Sequence, residues 1–382
     1  MKNTTKCPST FPNKIPDEVT EHDQNLFFDI TSDNISPEQR EQLLNPPNIF
    51  PYQKDVLAIH WHPEFVPIEL AIERVNIMFP NRNKELIIPT QHNEIFSYKG
   101  FSGVEVDCYS QGFNQKVQLL LHFEEKKVRK AHVLRAMIEH TRNYRSSQLF
   151  QFIRSITQPN EEVLQSAAKE TGANEELIQF VRIYVRKIDS LLDMYLDNLR
   201  RDMVKNKLLR NFFDALRPDY GDQLIDRVQA FLKSIKKQIK SNFSLHYFYR
   251  TSEIIEEARS HGAGIVVPHP EQFWPILLAG YDVDGYEVWN PQSQRYTDFL
   301  VSVVNRKNAD RDVSKRSLLI FMGDDTHLGE KIRKPEFQDK EKAGREIGYQ
   351  PIWDDLNIRK KLIKAQVNIS SVIDEYRLRL ST

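Results

Sequence analysis

Apolar and polar positions along the chain fall into three regimes. Between residues 51 and 123 short apolar runs alternate with one helix-like stretch. The run Val56-Leu57-Ala58-Ile59 reads as a strand. Residues 68–77 read as a helix with Ile68, Leu70, Ala71, Ile72, Val75 and Ile77 on one face and Glu69, Glu73, Arg74 and Asn76 on the other. Such alternation predicts βαβ units and a parallel sheet. From 124 to about 248 the period becomes that of amphipathic helices with almost no Gly. Examples are Leu177, Ile178, Phe180, Val181, Ile183 and Tyr184, then Ile188, Leu191, Leu192, Met194 and Leu196. Breaks fall at Gln158-Pro159-Asn160, Thr171-Gly172-Ala173 and Arg217-Pro218-Asp219-Tyr220-Gly221. This predicts an all-helical insertion over 124–248. From 249 to 330 the α/β pattern resumes, with a helix over 252–260 and strands over 263–267, 285–290 and 318–322. Residues 331–382 are charged and then helical, with Ile352, Trp353, Leu356, Leu362, Ile363, Val367, Ile369, Val372, Ile373 and Tyr376 apolar, and are expected to cap the α/β part. Residues 1–50 are polar and Pro-rich and are expected to form an arm with one short helix after Ser36-Pro37-Glu38, where Ser caps and Pro starts a helix.

The strand-like runs share an ending. His60-Trp61-His62 closes the first, and in an extended strand residues i and i+2 point to one face, so both imidazoles aim at one point. Further runs end at His92, Glu105, His122, His269 and the stretch Asp324-Asp325-Thr326-His327. Six strand ends therefore carry metal-ligand side chains. In an α/β barrel such ends line one face, where ligands from distant strands converge.

Composition narrows the class. Basic and acidic residues number 53 each, so no bulk field draws the chain to nucleic acid or membrane. Two cysteines, Cys7 and Cys108, exclude a disulfide framework or thiolate metal cage and suit a reducing compartment. No run of 18 apolar residues exists and the first residues lead into Pro and polar residues, so a cytoplasmic protein without a membrane partner is expected. The sequence has no Gly-x-Ser-x-Gly elbow and no phosphate-cradling Gly-x-x-x-x-Gly-Lys.

The ordered series His60-x-His62, His92, Gly103-x-Glu105, His122, Pro268-His269-Pro270, Gly285-x-Glu287-Val288-x-Asn290 and Gly323-x-Asp325-x-His327 resembles the PHP (polymerase and histidinol phosphatase) family. The resemblance spans about 55–123 and 250–330, and leaves the insertion and both ends uncovered. It implies a distorted (β/α)7 TIM-like barrel with two or three divalent metals hydrolysing phosphate esters. By that resemblance His60, His62, Glu105 and Asp325 would hold one metal and His92 with His327 a second. Glu105, His122 and His269 would hold the third. Glu105 and Asp325 are then the catalytic carboxylates. The sequence departs from the family at 63–69, where a third His is common and only Glu64 or Glu69 is available, and at Gln91, where an Asp commonly stands.

The chemistry of the residues agrees. Water is a poor nucleophile toward a phosphoester; a divalent metal lowers its pKa toward about 7 and screens the phosphate charge. Mixed imidazole and carboxylate ligands suit Zn, Mn or Fe rather than Mg or Ca. Arg295 is a candidate phosphate clamp or a surface ion-pair residue, and Glu287 and Asn290 are expected to fix the loop or the ligands rather than bind metal. The leading expectation is a metal-dependent phosphoesterase acting on a small phosphorylated metabolite or nucleotide. Its alternatives are a 3′-end nuclease and a non-catalytic, metal-stabilised protein whose insertion binds a partner. An amidohydrolase also opens on His-x-His, but Glu105 and the final Asp-x-His fit it less well. Lys233, Lys236, Lys237 and Lys240 form a basic stripe opposite Phe231, Leu232, Ile235 and Ile239, which reads as a solvated face or, on an insertion overhanging the active face, as a phosphate contact.

Overall fold

The computed structural model describes residues 15–158, 160–312, 315–335 and 338–382. Expectations resting on Cys7, the first residues and Pro159 lie outside the described residues. The fold is mixed α/β with a central sheet, and the chain divides into two units. One is Ile35–Asn143 with Ser244–Thr382; the other is Tyr144–Phe243 with the described part of Met1–Asn34.

The first unit carries all the strands among the described residues: β1 (Asp55–Ala58), β2 (Trp61–His62), β3 (Lys84–Ile87), β4 (Gln91–His92), β5 (Phe96–Tyr98), β6 (Phe101–Ser110), β7 (Gln115–Glu124), β8 (Gly264–Val267), β9 (Gly285–Trp289), β10 (Leu319–Met322) and β11 (Thr326–His327). A seven-stranded sheet runs β10-β9-β8-β7-β6-β4 with β5 on β6, while β1–β3 and β11–β2 form two-stranded ladders. The purely parallel sheet expected from the alternation is not what forms. The pairs β1–β3, β4–β6, β8–β9, β9–β10 and β2–β11 are parallel, but β6–β7 and β7–β8 are antiparallel. The reason lies in the connection: only Gln111–Phe113 and the left-handed Asn114 (φ 49°) join β6 to β7, and a parallel crossover needs a dozen or more residues.

Three runs break near their C-terminal ends, between β1 and β2, β3 and β4, and β10 and β11. Backbone bonds span the breaks: Ile88 N–H to the Ala58 carbonyl (2.8 Å), Thr90 to Trp61 (2.9 Å), Gly323 to Trp289 (2.8 Å) and Asp325 to His60 (2.8 Å). The backbone therefore stays hydrogen-bonded where it leaves regular strand geometry.

The core of this unit joins Val104, Val106, Leu119, Leu121, Ile265, Val267, Val288 and Ile320 to the C-terminal helix Ile369–Ser381 through Val372, Ile373, Tyr376 and Leu380. Gly264 passes directly under that helix, where a Cβ would strike Tyr376 and Leu380. Helix His132–Arg142 also packs Leu134, Met137 and Ile138 into this core, so residues 124–143 belong with the sheet rather than with the helical insertion. On helix Ile68–Met78, Arg74 is not on an exposed polar face: it is buried and pairs through Nε and Nη2 with Glu346 (2.8 and 2.6 Å).

The second unit packs helices Tyr144–Thr157, Glu161–Thr171, Glu175–Tyr195, Lys207–Ala215 and Asp222–Asn242 around Leu149, Phe180, Ile188, Phe212, Phe213, Phe231 and Ile235. A helix the sequence pattern did not suggest, Glu21–Thr31, joins them. Thr20 and Asp23 form its capping box, and Phe27 is fully buried in the helical core. Asp23 also pairs with the buried Lys187 at 2.8 Å. On helix Asp222–Asn242, Lys233, Lys237 and Lys240 are exposed and Lys236 is half-buried. No helix among the described residues is long and apolar enough to cross a membrane.

Candidate metal centre

His60 lies in the break after β1 and His62 in β2, and both are fully buried. Trp61 turns the other way, into a separate apolar cluster with Val66, Leu70 and Leu328. The strand-face argument therefore holds through the break. β11 pairs beside β2 and sets His327 level with His62; β4 pairs beside β6 and sets His92 level with Glu105. Two donor-bearing positions sit in left-handed backbone, Asp325 (φ 46°) and His269 (φ 27°). Such conformations cost about 1–3 kcal/mol each in a non-glycine residue and persist where surrounding structure holds them, commonly at functional sites.

The side chains converge in three groups, each with donor atoms within 4.8 Å of one another: His62, His92 and His327; His60, His62 and Asp325; His60, Glu105 and His269. His62 belongs to the first two and His60 to the last two, so the groups form one continuous patch. Asp325 Oδ1 lies 3.5 Å from His60 Nε2, 3.3 Å from His62 Nε2 and 3.4 Å from His327 Nε2. Glu105 lies 3.7 Å from His62 Nε2 and 3.5 Å from His269 Nε2, and pairs closely with His92 Nδ1. Most of these separations are long for hydrogen bonds. Ligands about 2.1 Å from a common ion in tetrahedral array stand about 3.4 Å apart, which these spacings match. His60 Nε2 and both ring nitrogens of His62 are buried without a well-formed hydrogen bond among the described residues, a costly state unless another partner is supplied. The residues therefore fit divalent metal.

The electrostatics are those of a tightly coupled cluster. Burial alone would raise the carboxyl of Glu105, but His92, His269 and His62 hold it well below the usual range. Burial likewise opposes, and His327, His62 and His60 outweigh it at, Asp325. Burial would lower His60, yet Glu287, Asp325 and Glu105 raise it to about 10. His62 is driven well below its ordinary value by burial and by His92 and His327.

A surrounding layer holds these groups. Glu287 on β9 takes His60 Nδ1 on Oε1 (2.8 Å) and accepts the His269 backbone N–H on Oε2 (2.9 Å), and Asn290 donates to Oε2 at 3.3 Å. Glu287 and Asn290 are thus placed to orient ligands. Glu64, with φ 54°, lies 3.5 Å from His327 Nδ1, whereas Glu69 is exposed on its helix. Gln91 accepts the Glu64 backbone N–H at 3.2 Å.

Two expected residues are not brought into the donor groups. His122 has its Nδ1 2.7 Å from the Tyr376 hydroxyl and its Nε2 3.0 Å from the Ile59 carbonyl, so both nitrogens are engaged. β7 runs antiparallel to β6, so His122 sits opposite Gly103 rather than beside Glu105. Arg295 is exposed, its guanidinium 4.6 Å from the Tyr296 ring centre. Two buried or partly buried contacts to Asp325 escaped the sequence reading, Gln292 Nε2 to Oδ2 (2.7 Å) and Arg345 Nη1 to Oδ2 (2.7 Å). Arg345 stands in a charged stretch with no periodicity to single it out.

No family model matches the chain, and no curated protein matches it in sequence. Among solved structures, one from Bifidobacterium adolescentis bearing the name "putative metal-dependent phosphoesterase" aligns at 15% identity over 82% of this chain and 98% of its own, with a TM-score of 0.38.

Proposed function

We propose that the chain is a metal-dependent hydrolase of phosphate esters, with a small phosphorylated metabolite or nucleotide as substrate. The observation that carries this is the convergence of five imidazoles and two carboxylates, Glu105 and Asp325, in three adjoining donor groups. A structural metal site is closed by four ligands around one ion, whereas a patch with more donors than one ion takes, including carboxylates able to bridge, suits two-metal hydrolysis, of which phosphoester cleavage is one class. His60, His62, Glu105 and Asp325, with His92, His269 and His327, would hold two or more ions of Zn, Mn or Fe, by the preference of mixed nitrogen and oxygen ligands. Metal bound there would supply an activated water and charge neutralisation for the phosphate. Glu105 and Asp325 set the negative charge of the patch. Glu287 fixes the ring of His60, and His92 and His327, the partly exposed members, form the side of the patch open to water and substrate.

We also propose that the seven-stranded sheet and the two ladders are one interrupted (β/α)7-like barrel. If β1 with β2, β3 with β4, and β10 with β11 are each one broken strand, the pairings run in a closed ring of seven, from β1–β3 and β4–β6 round to β9–β10 and β11–β2. His60, His62, His92, His269, Asp325 and His327 then lie at or just past C-terminal strand ends, the usual active face, while Glu105 points to them from the middle of β6 rather than from the strand end its apolar run suggests.

The test is elemental analysis of the purified protein together with hydrolysis of a panel of phosphomonoesters and phosphodiesters with Mn or Zn added. Bound metal with hydrolysis supports the proposal. Metal without hydrolysis of any phosphoester favours a non-catalytic role, and no metal at all rejects the centre.

A further inference from the structure

Asp325 uses its two carboxylate oxygens differently. Oδ1 faces three imidazoles, at 3.5 Å (His60), 3.3 Å (His62) and 3.4 Å (His327). Oδ2 accepts from Arg345 Nη1 and Gln292 Nε2, both at 2.7 Å; the same Arg345 nitrogen also donates to the Asp325 carbonyl at 3.1 Å. Arg345 is 5% exposed, too enclosed to serve as a surface anion site.

The segment bearing Arg345 is itself anchored. Glu346 forms a buried fork with Arg74 and an ion pair with Lys331 at 3.0 Å. Gly348 N–H donates to Asp324 Oδ2 at 3.0 Å, and its left-handed backbone (φ 76°) approaches Val56 too closely for a Cβ. Gln350 donates to the Leu57 carbonyl at 2.7 Å. Residues 345–350 therefore tie the β1 end, helix Ile68–Met78 and the Asp324-Asp325 turn together, although they lie beyond every strand-end motif.

We propose that Arg345, assisted by Gln292, is a positioning residue for the metal centre. It holds Asp325 in its left-handed conformation with Oδ2 saturated, so that Oδ1 alone is presented to His60, His62 and His327. This rests on the metal-dependent reading above. A carboxylate left free to rotate would offer either oxygen and spend part of its time turned from the imidazoles. Partners that orient ligating carboxylates are typically worth about 10- to 100-fold in metal affinity.

The experiment titrates Zn against a competing chelator in wild type, Arg345→Met, Arg345→Lys and Gln292→Leu, and records the visible spectrum of each loaded with Co(II) instead. The melting curve of each metal-free variant establishes that it is folded. Arg345→Met is expected to weaken binding about 10- to 100-fold with an altered Co(II) spectrum. Arg345→Lys should recover part of the affinity, since a lysine keeps the charge but not the planar fork. Wild-type affinity and spectrum in folded Arg345→Met would overturn the proposal. Should that variant not fold, Gln292→Leu decides: weakened binding supports the proposal and unchanged binding rejects it. Absence of binding in the wild type is a different failure, which removes the metal centre and with it any role of Arg345 there.

Discussion

Glu287 Oε1 and His60 Nδ1 lie 2.8 Å apart, both fully enclosed, although the two residues are 227 positions apart in sequence. The contact gives the Nδ1 proton a carboxylate acceptor and leaves Nε2 turned toward Glu105 and Asp325. Gly323 is part of the arrangement, because a Cβ there would overlap the Glu287 carboxyl group. Glu287→Gln, which keeps the shape and removes the charge, is expected to lower metal affinity about 10- to 100-fold at pH 7. Gly323→Ala should do the same by displacing the carboxylate. Equilibrium titration of both variants with Zn checks this, and wild-type affinity in both would mean that the pair does not orient a ligand.

Glu105 touches more of the imidazoles than any neutral group could replace, lying against His92, His62 and His269. Glu105→Gln preserves volume and removes the charge between the histidines. It should leave the fold intact and abolish turnover, a loss of several kcal/mol in transition-state stabilisation or at least about 1000-fold in kcat/KM. Circular dichroism with steady-state kinetics in excess Mn or Zn measures both. Near wild-type turnover would show the donor assignment to be wrong.

Asp325 and His327 act from one strand end, and their side chains meet at 3.4 Å. Asp325→Asn and His327→Ala should each lower bound metal, by elemental analysis, to below the wild-type stoichiometry. Asp325 contributes to the group with His60 and His62, and His327 to the group with His62 and His92. The two losses should therefore be distinct, and unchanged stoichiometry in both would refute the donor assignment.

Much of this centre was readable because strand geometry is local: alternation placed His60 with His62, and the repeated ending of apolar runs marked His92, Glu105, His269, Asp325 and His327. What local pattern does not carry is strand direction. His122 closes an apolar run as the others do, but β7 is antiparallel to both neighbours, so its C-terminal end is at the opposite side of the ladder. Nor does it carry long-range polar pairing. Arg74 looked like a solvent-facing residue until Glu346, 272 positions away, supplied its partner. Helix Glu21–Thr31 was obscured by its composition, since its only fully buried hydrophobic residue is Phe27.

His122 gives the pH prediction. Burial lowers its pKa to about 3, opposed by the Ile59 carbonyl bond and reinforced by His60. The folded value is thus depressed below the unfolded value of about 6.5, so the folded protein prefers the neutral ring. The stability this contributes is present above about pH 6.5 and is lost as pH falls toward 3, at up to about 1.4 kcal/mol per pH unit between those limits. His122→Gln should flatten the acid limb of the metal-free protein's stability curve while leaving metal stoichiometry at the wild-type value. Urea midpoints at pH 7 and pH 5 with parallel metal analysis test both parts. Loss of metal in this variant would restore His122 to the ligand set.

The last prediction concerns the helical unit and its dependence on the N-terminal helix. Lys187 Nζ and Asp23 Oδ2 are 2.8 Å apart, each side chain 2% exposed. Asp23 is opposed by its own burial, and Lys187 and Thr20 together bring its carboxyl below the ordinary value. Removing one member leaves the other buried and uncompensated, which typically costs about 3–5 kcal/mol, whereas replacing both with apolar groups can be neutral. Asp23 also caps its helix with Thr20, worth about 1 kcal/mol more. Lys187→Ala should therefore destabilise the unit by about 3 kcal/mol. Lys187→Met combined with Asp23→Asn should destabilise it less, because asparagine still accepts at the cap and no charge remains. Phe27, fully buried among the same helices, should cost about 3–5 kcal/mol as Phe27→Ala. Chemical denaturation of the full chain, followed in parallel by metal retention, separates the two units. Loss of the helical transition with retention of metal would show that the centre is held by the sheet unit alone, and simultaneous loss of both would show that the units unfold as one.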